Sequence, residues 1–161
     1  MEETFAKYIN VNGELMDLSR PQVMGILNVT PDSFYADSRK QAEEDIVNRV
    51  HQIIEEGGRI IDIGAYSSRS NAEDVSPEEE MKRLKHGLQV IQREFPDAIV
   101  SVDTFRADVA RMCVEEYGTA IINDISAGNL DANMFSTVAK LKVPYIMMHM
   151  QGNPQNMQKN P

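Results

Sequence analysis

The sequence is poor in cysteine and tryptophan, with Cys113 alone and no tryptophan at all. A single cysteine cannot close a disulfide within the chain, so the fold does not depend on the oxidising conditions of secreted proteins. No apolar run reaches the roughly 18–20 residues that a membrane-spanning helix needs. Residues 1–7 are acidic and lack the apolar stretch of a signal peptide. We therefore expect a cytoplasmic protein that has no membrane segment.

Basic residues are also scarce, with 16 Lys and Arg against 25 Asp and Glu and a net charge of −9. This balance argues against nucleic acid and against an anionic membrane as partners, because both attract clustered positive charge. A small anionic ligand remains compatible, since backbone amides and one or two arginines suffice to hold a phosphate. The 161 residues, 42% of them hydrophobic, fit one globular domain without linkers.

Two kinds of local pattern predict the fold. Residues 8–11 and 14–18 flank Asn12-Gly13, which is typical of a β-hairpin. After Pro21, short apolar runs alternate with segments of helical period, as in parallel α/β proteins. The predicted strands are Val23–Leu27, Ile60–Ile63, Ile99–Val102, Ala120–Ile122 and Tyr145–Met148; the predicted helices span about 40–56, from Ser76 onward, 106–117 and 131–141.

Polar residues follow every one of these strands, at the carboxyl end. Ligands bind at the carboxyl ends of the strands in parallel α/β folds. Asn28, Gly64 with Ser67-Ser68-Arg69, Asp103-Thr104, Asn123-Asp124 and His149 occupy these positions. A closed TIM barrel needs about 250 residues. Five strands therefore form either the front part of such a barrel or a doubly wound open sheet.

Five segments resemble, in order and at suitable spacing, the signatures of the dihydropteroate synthase family. They are Met24–Phe34, Ile60–Gly64 with Ser67–Arg69, Ser101–Thr104, Ile122–Ser126 and Met148–Gly152. One departure lies in the second segment, where Tyr66-Ser67-Ser68-Arg69-Ser70-Asn71 stands in place of the usual Glu-Ser-Thr-Arg-Pro-Gly.

The resemblance implies a fold and a reaction. We expect a partial TIM (β/α)8 barrel of five parallel strands and four helices, preceded by the hairpin and forming one pterin-binding domain over residues 1–161. The family condenses 6-hydroxymethyl-7,8-dihydropterin pyrophosphate with p-aminobenzoate, releases pyrophosphate and uses Mg²⁺. Its later motifs and the helices of its usual homodimer have no counterpart here, so we expect a chain truncated at its C-terminus. The open edges of five strands also predict self-association.

The motifs carry over roles for the phosphate end of the site. Asn28 would support the metal, because an amide oxygen suits Mg²⁺. Ser68 and Arg69 would be the catalytic residues, holding pyrophosphate with a hydroxyl and a planar cation and organising the p-aminobenzoate site. Phe34 would lie near p-aminobenzoate.

The same motifs carry over a pterin pocket. Asp103 and Asn123 would bond the ring edge, which mixes donors and acceptors. Ile125 and Met147 would be apolar walls. Asp62, inside a strand, is interpreted as a buried structural carboxylate.

Two other functions remain open at this point. The chain could be a non-catalytic pterin-binding fragment, or it could be the pterin domain of a corrinoid methyltransferase. Pterin binding without turnover would select the first, and methyl transfer from a folate would select the second.

Overall fold

A computed structural model of the chain describes residues 7–29, 36–65 and 75–149. The predicted hairpin is confirmed, with strand β1 (Tyr8–Val11) antiparallel to β2 (Glu14–Asp17). Its turn has positive φ at both central residues, 53° at Asn12 and 86° at Gly13. That conformation matches the twist of the flanking strands and favours Asn-Gly.

A second sheet consists of five parallel strands in sequential order. They are β3 (Met24–Asn28), β4 (Ile60–Gly64), β5 (Ile99–Asp103), β6 (Ile121–Asp124) and β7 (Tyr145–Met147). A doubly wound sheet would reverse its strand order at a switch point. The order β3-β4-β5-β6-β7 is that of consecutive strands in a TIM barrel, so the partial barrel is confirmed.

Four helices lie between these strands, and each packs against the next along the chain. They are α1 (Ala36–Glu55), α2 (Pro77–Glu94), α3 (Ala107–Tyr117) and α4 (Met134–Leu141). The predicted start of α2 is confirmed, because Ser76 Oγ accepts a hydrogen bond from Glu79 N at 3.2 Å and Pro77 occupies the first helical position. No helix in the described ranges is long and apolar enough to cross a membrane.

The main core lies between the sheet and the helices. Alternate strand residues point to this side, and Ile63, Val102 and Ile122 are fully buried there. Helix α2 comes closest at Gly87, where an added Cβ would lie 2.6 Å from Ile63 Cδ1 and 2.9 Å from Val29 Cγ2. The glycine thus sets the distance between helix and sheet.

The hairpin packs against the opposite face of the sheet, near the amino ends of the strands. Val11 and Met16 form a second buried cluster with Ile60, Ala120 and Ile121. The hairpin therefore lies at the opposite end of this face from the polar residues, which are at the carboxyl ends of the strands.

Strands β3 and β7 are the two outer strands of the five-stranded sheet. At β3, the Ile26 carbonyl oxygen accepts a hydrogen bond from Arg49 Nε of helix α1 at 3.1 Å. The Ile26 side chain is 60% exposed on the face away from the helices. The Arg49 side chain therefore occupies one backbone hydrogen-bond acceptor of the outer strand β3.

Candidate functional site

A single row of paired residues crosses the sheet at the carboxyl ends of its strands. Asn28 pairs with Gly64, Gly64 with Asp103, Asp103 with Asn123, and Asn123 with Ile146. Paired residues of neighbouring strands present their side chains on the same face. The sheet thus brings together three polar side chains from three strands, on the face away from the helices.

Gly64 places no side chain in the middle of this row. A Cβ built on Gly64 would lie 3.7 Å from Asn28 Oδ1 and 3.5 Å from Asp103 Oδ2. The amide oxygen and the carboxylate oxygen therefore face the same small volume. Any side chain at position 64 would occupy the space between them.

Asp62 lies on the same face as the site row, two residues before Gly64 and so nearer the amino end of β4. Its side chain contacts Asn123 of the row. Its Oδ2 accepts a hydrogen bond from Asn123 Nδ2 at 3.0 Å. The residue is only 5% exposed, and its paired neighbour Ser101 is fully buried. Among the described residues, Asp62 Oδ1 and Ser101 Oγ form no hydrogen bond of ordinary length and angle, although the Ser101 hydroxyl lies close enough to act on the carboxylate. Burial raises the pKa of Asp62, and neighbouring Ser101 and Asn123 oppose that rise.

Asp103 is the residue of the row with the most perturbed acidity. Burial raises its pKa to about 7, helped by the negative charges of Asp62, Glu80 and Asp124. A carboxyl group with this pKa is present in both protonation states near neutral pH. Asp103 can therefore donate or accept a hydrogen bond toward a ligand, whereas an ordinary aspartate only accepts.

The segment after Asp103 is tied to helix α2 by a buried network around Glu80. Thr104 Oγ1 donates to Glu80 Oε1 at 2.7 Å, and Arg106 Nη1 donates to Glu80 Oε2. Arg106 Nη2 also donates to the Val75 carbonyl oxygen at 2.9 Å. The network links the end of β5 to the start of α2, so it anchors the backbone next to Asp103.

A second carboxylate, Asp124, organises the loop after β6. It is fully buried, and it accepts hydrogen bonds from Ser126 N and Oγ, from Gly128 N and from the Tyr145 hydroxyl, the last at 2.6 Å. Asp124 pairs with Met147 rather than with a member of the site row. It is a structural carboxylate next to Asn123.

The predicted pterin residues are only partly brought together. Asp103 and Asn123 lie side by side in the row, and Ile125 is partly buried just beyond the end of β6. Met147 does not join them, because the alternation of β7 puts it on the opposite face from Ile146, the residue that pairs with Asn123. The apolar neighbour in the row is Ile146, which the motif comparison missed and strand alternation would have indicated.

Of the residues predicted for the phosphate end of the site, only Asn28 lies within the described residues. Asn28 is exposed at the end of β3 and belongs to the row. Phe34, Ser68 and Arg69 lie outside the described residues. Within those residues, no three His, Cys, Asp or Glu side chains form a group that could hold a metal ion. Asn28 with its exposed amide oxygen still fits Mg²⁺, because this ion is commonly held by one or two protein oxygens together with substrate phosphates and water.

Comparison with known proteins places these features in a family context. Residues 24–161 match the family model of pterin binding enzymes. The mitochondrial folate synthesis bifunctional protein of Pisum sativum is 46% identical over 160 residues, which are 98% of this chain. Two solved structures are each 37% identical: the dihydropteroate synthase of Yersinia pestis in a sulfonamide drug complex (TM-score 0.77, 96% of this chain) and that of Xanthomonas albilineans with 4-aminobenzoic acid (TM-score 0.76, 92% of this chain).

The matches cover this chain almost fully but its relatives only in part. The chain spans 31% of the pea protein, 54% of the Yersinia chain and 53% of the Xanthomonas chain. The shared part contains the row of Asn28, Asp103 and Asn123, since all three lie within the matched residues 24–161.

Proposed function

Because the chain belongs to the pterin binding enzyme family, we propose that it supplies the pterin and pyrophosphate side of a dihydropteroate synthase site. The reaction joins 6-hydroxymethyl-7,8-dihydropterin pyrophosphate to p-aminobenzoate and releases pyrophosphate. The observation that carries the proposal is the row of Asn28, Asp103 and Asn123 around Gly64.

In this proposal the row binds the pterin by its edge. Asn123 offers an amide with both donor and acceptor atoms, and Asp103, with a pKa of about 7, offers either a donor or an acceptor. Ile125 and Ile146 provide apolar surface beside these polar groups. A flat heterocycle with mixed donors and acceptors on its edge matches this combination.

Ser68 and Arg69 are proposed to hold the pyrophosphate, and Phe34 to lie beside p-aminobenzoate. A guanidinium forms paired hydrogen bonds with phosphate oxygens and stabilises the negative charge that grows as pyrophosphate leaves. Asn28 is proposed to supply an oxygen ligand for Mg²⁺, which when bound neutralises phosphate charge. No nucleophilic side chain is needed, because the arylamine attacks the pterin methylene and these residues act by positioning and electrostatics.

Pyrophosphate release by this chain tests the proposal. The assay contains the dihydropterin pyrophosphate and Mg²⁺, with and without p-aminobenzoate. We expect release that depends on p-aminobenzoate and that falls about 100-fold in Arg69→Ala, the scale of losing a charge-stabilising group. Arg111→Ala is the matched control, because Arg111 lies on α3 with its side chain 48% exposed. Release independent of p-aminobenzoate, or equal loss in both variants, would contradict the synthase reaction.

A binding measurement separates the synthase from a non-catalytic relative. Titration of the chain with the dihydropterin pyrophosphate reports binding independently of turnover. Binding without pyrophosphate release identifies a pterin-binding protein that lacks catalysis. Absence of binding contradicts both functions.

The remaining proposals concern inhibition, location and assembly. We propose that sulfonamides compete with p-aminobenzoate for the site, as expected for aromatic amines of similar shape. We also propose that the chain acts in the cytoplasm and that it self-associates through the open edges of its sheet. Inhibition by a sulfonamide that excess p-aminobenzoate relieves would support the first proposal, fractionation the second and sedimentation the third.

A further inference from the structure

We infer that Asp62 is a positioning residue for pterin binding, because its buried carboxylate fixes the side-chain amide of Asn123 in one of its two orientations. The inference deepens the proposed function and rests on it. It assigns to Asp62 a role at the site although the side chain lies one row below it.

The hydrogen bond between the two residues has a direction that chemistry dictates. Asn123 Nδ2 lies 3.0 Å from Asp62 Oδ2. An ionised carboxylate only accepts hydrogen bonds, whereas an asparagine amide donates from one side and accepts on the other. Asn123 must therefore turn its nitrogen toward Asp62. Its oxygen and its second N–H are then left for the row of Asn28 and Asp103.

The surroundings of Asp62 indicate more than a structural role. The carboxylate is only 5% exposed, and the groups that act on it are Asn123 Nδ2 and the neighbouring Ser101 hydroxyl. Its Oδ1 forms no hydrogen bond of ordinary geometry with the described residues. Burying a carboxylate with an unused acceptor destabilises a fold. The neighbouring deeper positions of the same face are filled by Ile60 and Ile121, which pack without such a cost. An apolar residue would suit packing at position 62, but it would leave the Asn123 amide free to turn.

The consequence is a prearranged donor and acceptor pattern. A ligand that bonds to the Asn123 oxygen meets it already in place and does not have to select the orientation or immobilise the side chain. Immobilising one side chain typically costs about 0.5–1.5 kcal/mol of binding free energy. Loss of Asp62 should therefore weaken pterin binding about three- to tenfold, and only through Asn123.

A double-mutant cycle on the full chain tests this dependence. The dissociation constant of the dihydropterin pyrophosphate is measured for wild type, D62N, N123A and the D62N/N123A double variant. We expect D62N to weaken binding about three- to tenfold in the wild-type background and to have no further effect in the N123A background. S101A is the matched control, because Ser101 is buried beside Asp62 on the neighbouring strand and its loss leaves the hydrogen bond from Asn123 to Asp62 in place; it should bind like wild type.

An amide NMR signal reports the orientation without any ligand. The Asn123 side-chain resonance, assigned by its loss in N123A, should be shifted and protected in wild type and S101A but not in D62N. A weakening by D62N that is equal in both backgrounds would indicate general structural damage and overturn the inference. An unchanged amide signal in D62N would overturn it as well.

These measurements also separate failure of the inference from failure of the proposed function. If wild type does not bind the pterin, the proposed function fails and the ligand-positioning role fails with it, whatever the amide signal shows. If wild type binds and D62N binds equally well, only the role of Asp62 is wrong.

Discussion

Replacing Arg106 by methionine should destabilise the fold far more than the same change at Arg111, although each arginine forms one ion pair. Arg106 pairs with Glu80, whose side chain is 2% exposed, and its own side chain is 23% exposed. Arg111 pairs with Asp108, and these side chains are 48% and 77% exposed. The comparison therefore sets a buried ion pair against an exposed one.

The magnitude follows from what each change leaves behind. Arg106→Met leaves the buried Glu80 carboxylate with the Thr104 hydroxyl as its remaining partner in the described network. Removing one partner of a buried ion pair costs about 3–5 kcal/mol. The exposed Arg111–Asp108 pair contributes about 0–1 kcal/mol. The hydrogen bond from Arg106 to the Val75 carbonyl oxygen is also lost, which adds to the larger effect.

Urea unfolding followed by circular dichroism measures the difference. With a slope of about 2 kcal/mol per molar urea, Arg106→Met should lower the midpoint by roughly 2 M, and Arg111→Met by less than about 0.5 M. Adding Glu80→Gln to Arg106→Met removes the unpaired charge and should recover part of the loss. Equal midpoint shifts for the two arginines would refute the reasoning, as would a double variant that is less stable than Arg106→Met.

Three further changes have effects of predictable sign. The pKa of Asp103 is about 7 in the folded chain, against 3.8 for an ordinary aspartate such as that of the unfolded chain. The folded state therefore binds this proton more tightly, and the free energy of unfolding should fall as pH rises between these values; Asp103→Asn should flatten this dependence in denaturant titrations at several pH values. Tyr145→Phe removes the 2.6 Å hydrogen bond to the Asp124 carboxylate and should lower the unfolding free energy by about 1.5–3 kcal/mol. Gly87→Ala should cost about 1–3 kcal/mol by pushing α2 off the sheet, and Ile63→Val, which removes the Cδ1 atom in the way, should restore part of that loss.

Strand positions could be predicted, because apolar runs and turn residues encode them locally. Strand order could not be read from these patterns, which left a partial barrel and a doubly wound sheet open until the resemblance favoured the barrel. The boundaries of the helices were less certain. The spacing predicts a first helix from about residue 40, but α1 begins at Ala36. Asp37 and Ser38 are weak helix formers that favour caps and turns, so their sequence alone did not indicate helix.

The start of α4 depends on a contact that lies outside its own sequence. The prediction begins this helix at Asp131, whereas the structure begins it at Met134. Asp131 Oδ2 accepts a hydrogen bond from Ala107 N at the start of α3, and Oδ1 accepts one from Asn133 N. The carboxylate thus caps a helix 24 residues earlier in the chain, which a local pattern does not show.

The sequence located the residues of the candidate site better than it predicted which of their side chains lie next to each other in the sheet. The motifs located Asp103 and Asn123, which the structure places side by side. They did not specify which face a side chain occupies. The motif predicts Met147 for the pocket, whereas strand pairing puts Ile146 beside Asn123 and Met147 on the other face. The hydrogen bond from Asn123 to Asp62 joins residues 61 positions apart, so it depends on the register of three strands.

The hydrogen bond from Arg49 to the Ile26 carbonyl oxygen makes the two margins of the sheet chemically different. A strand that adds to β3 must compete with a guanidinium for this acceptor, whereas the described residues of β7 show no comparable side-chain bond to their backbone. Pairing of any further strand with β3 thus depends on Arg49 of the first helix, a residue 23 positions further along the chain than the acceptor it occupies.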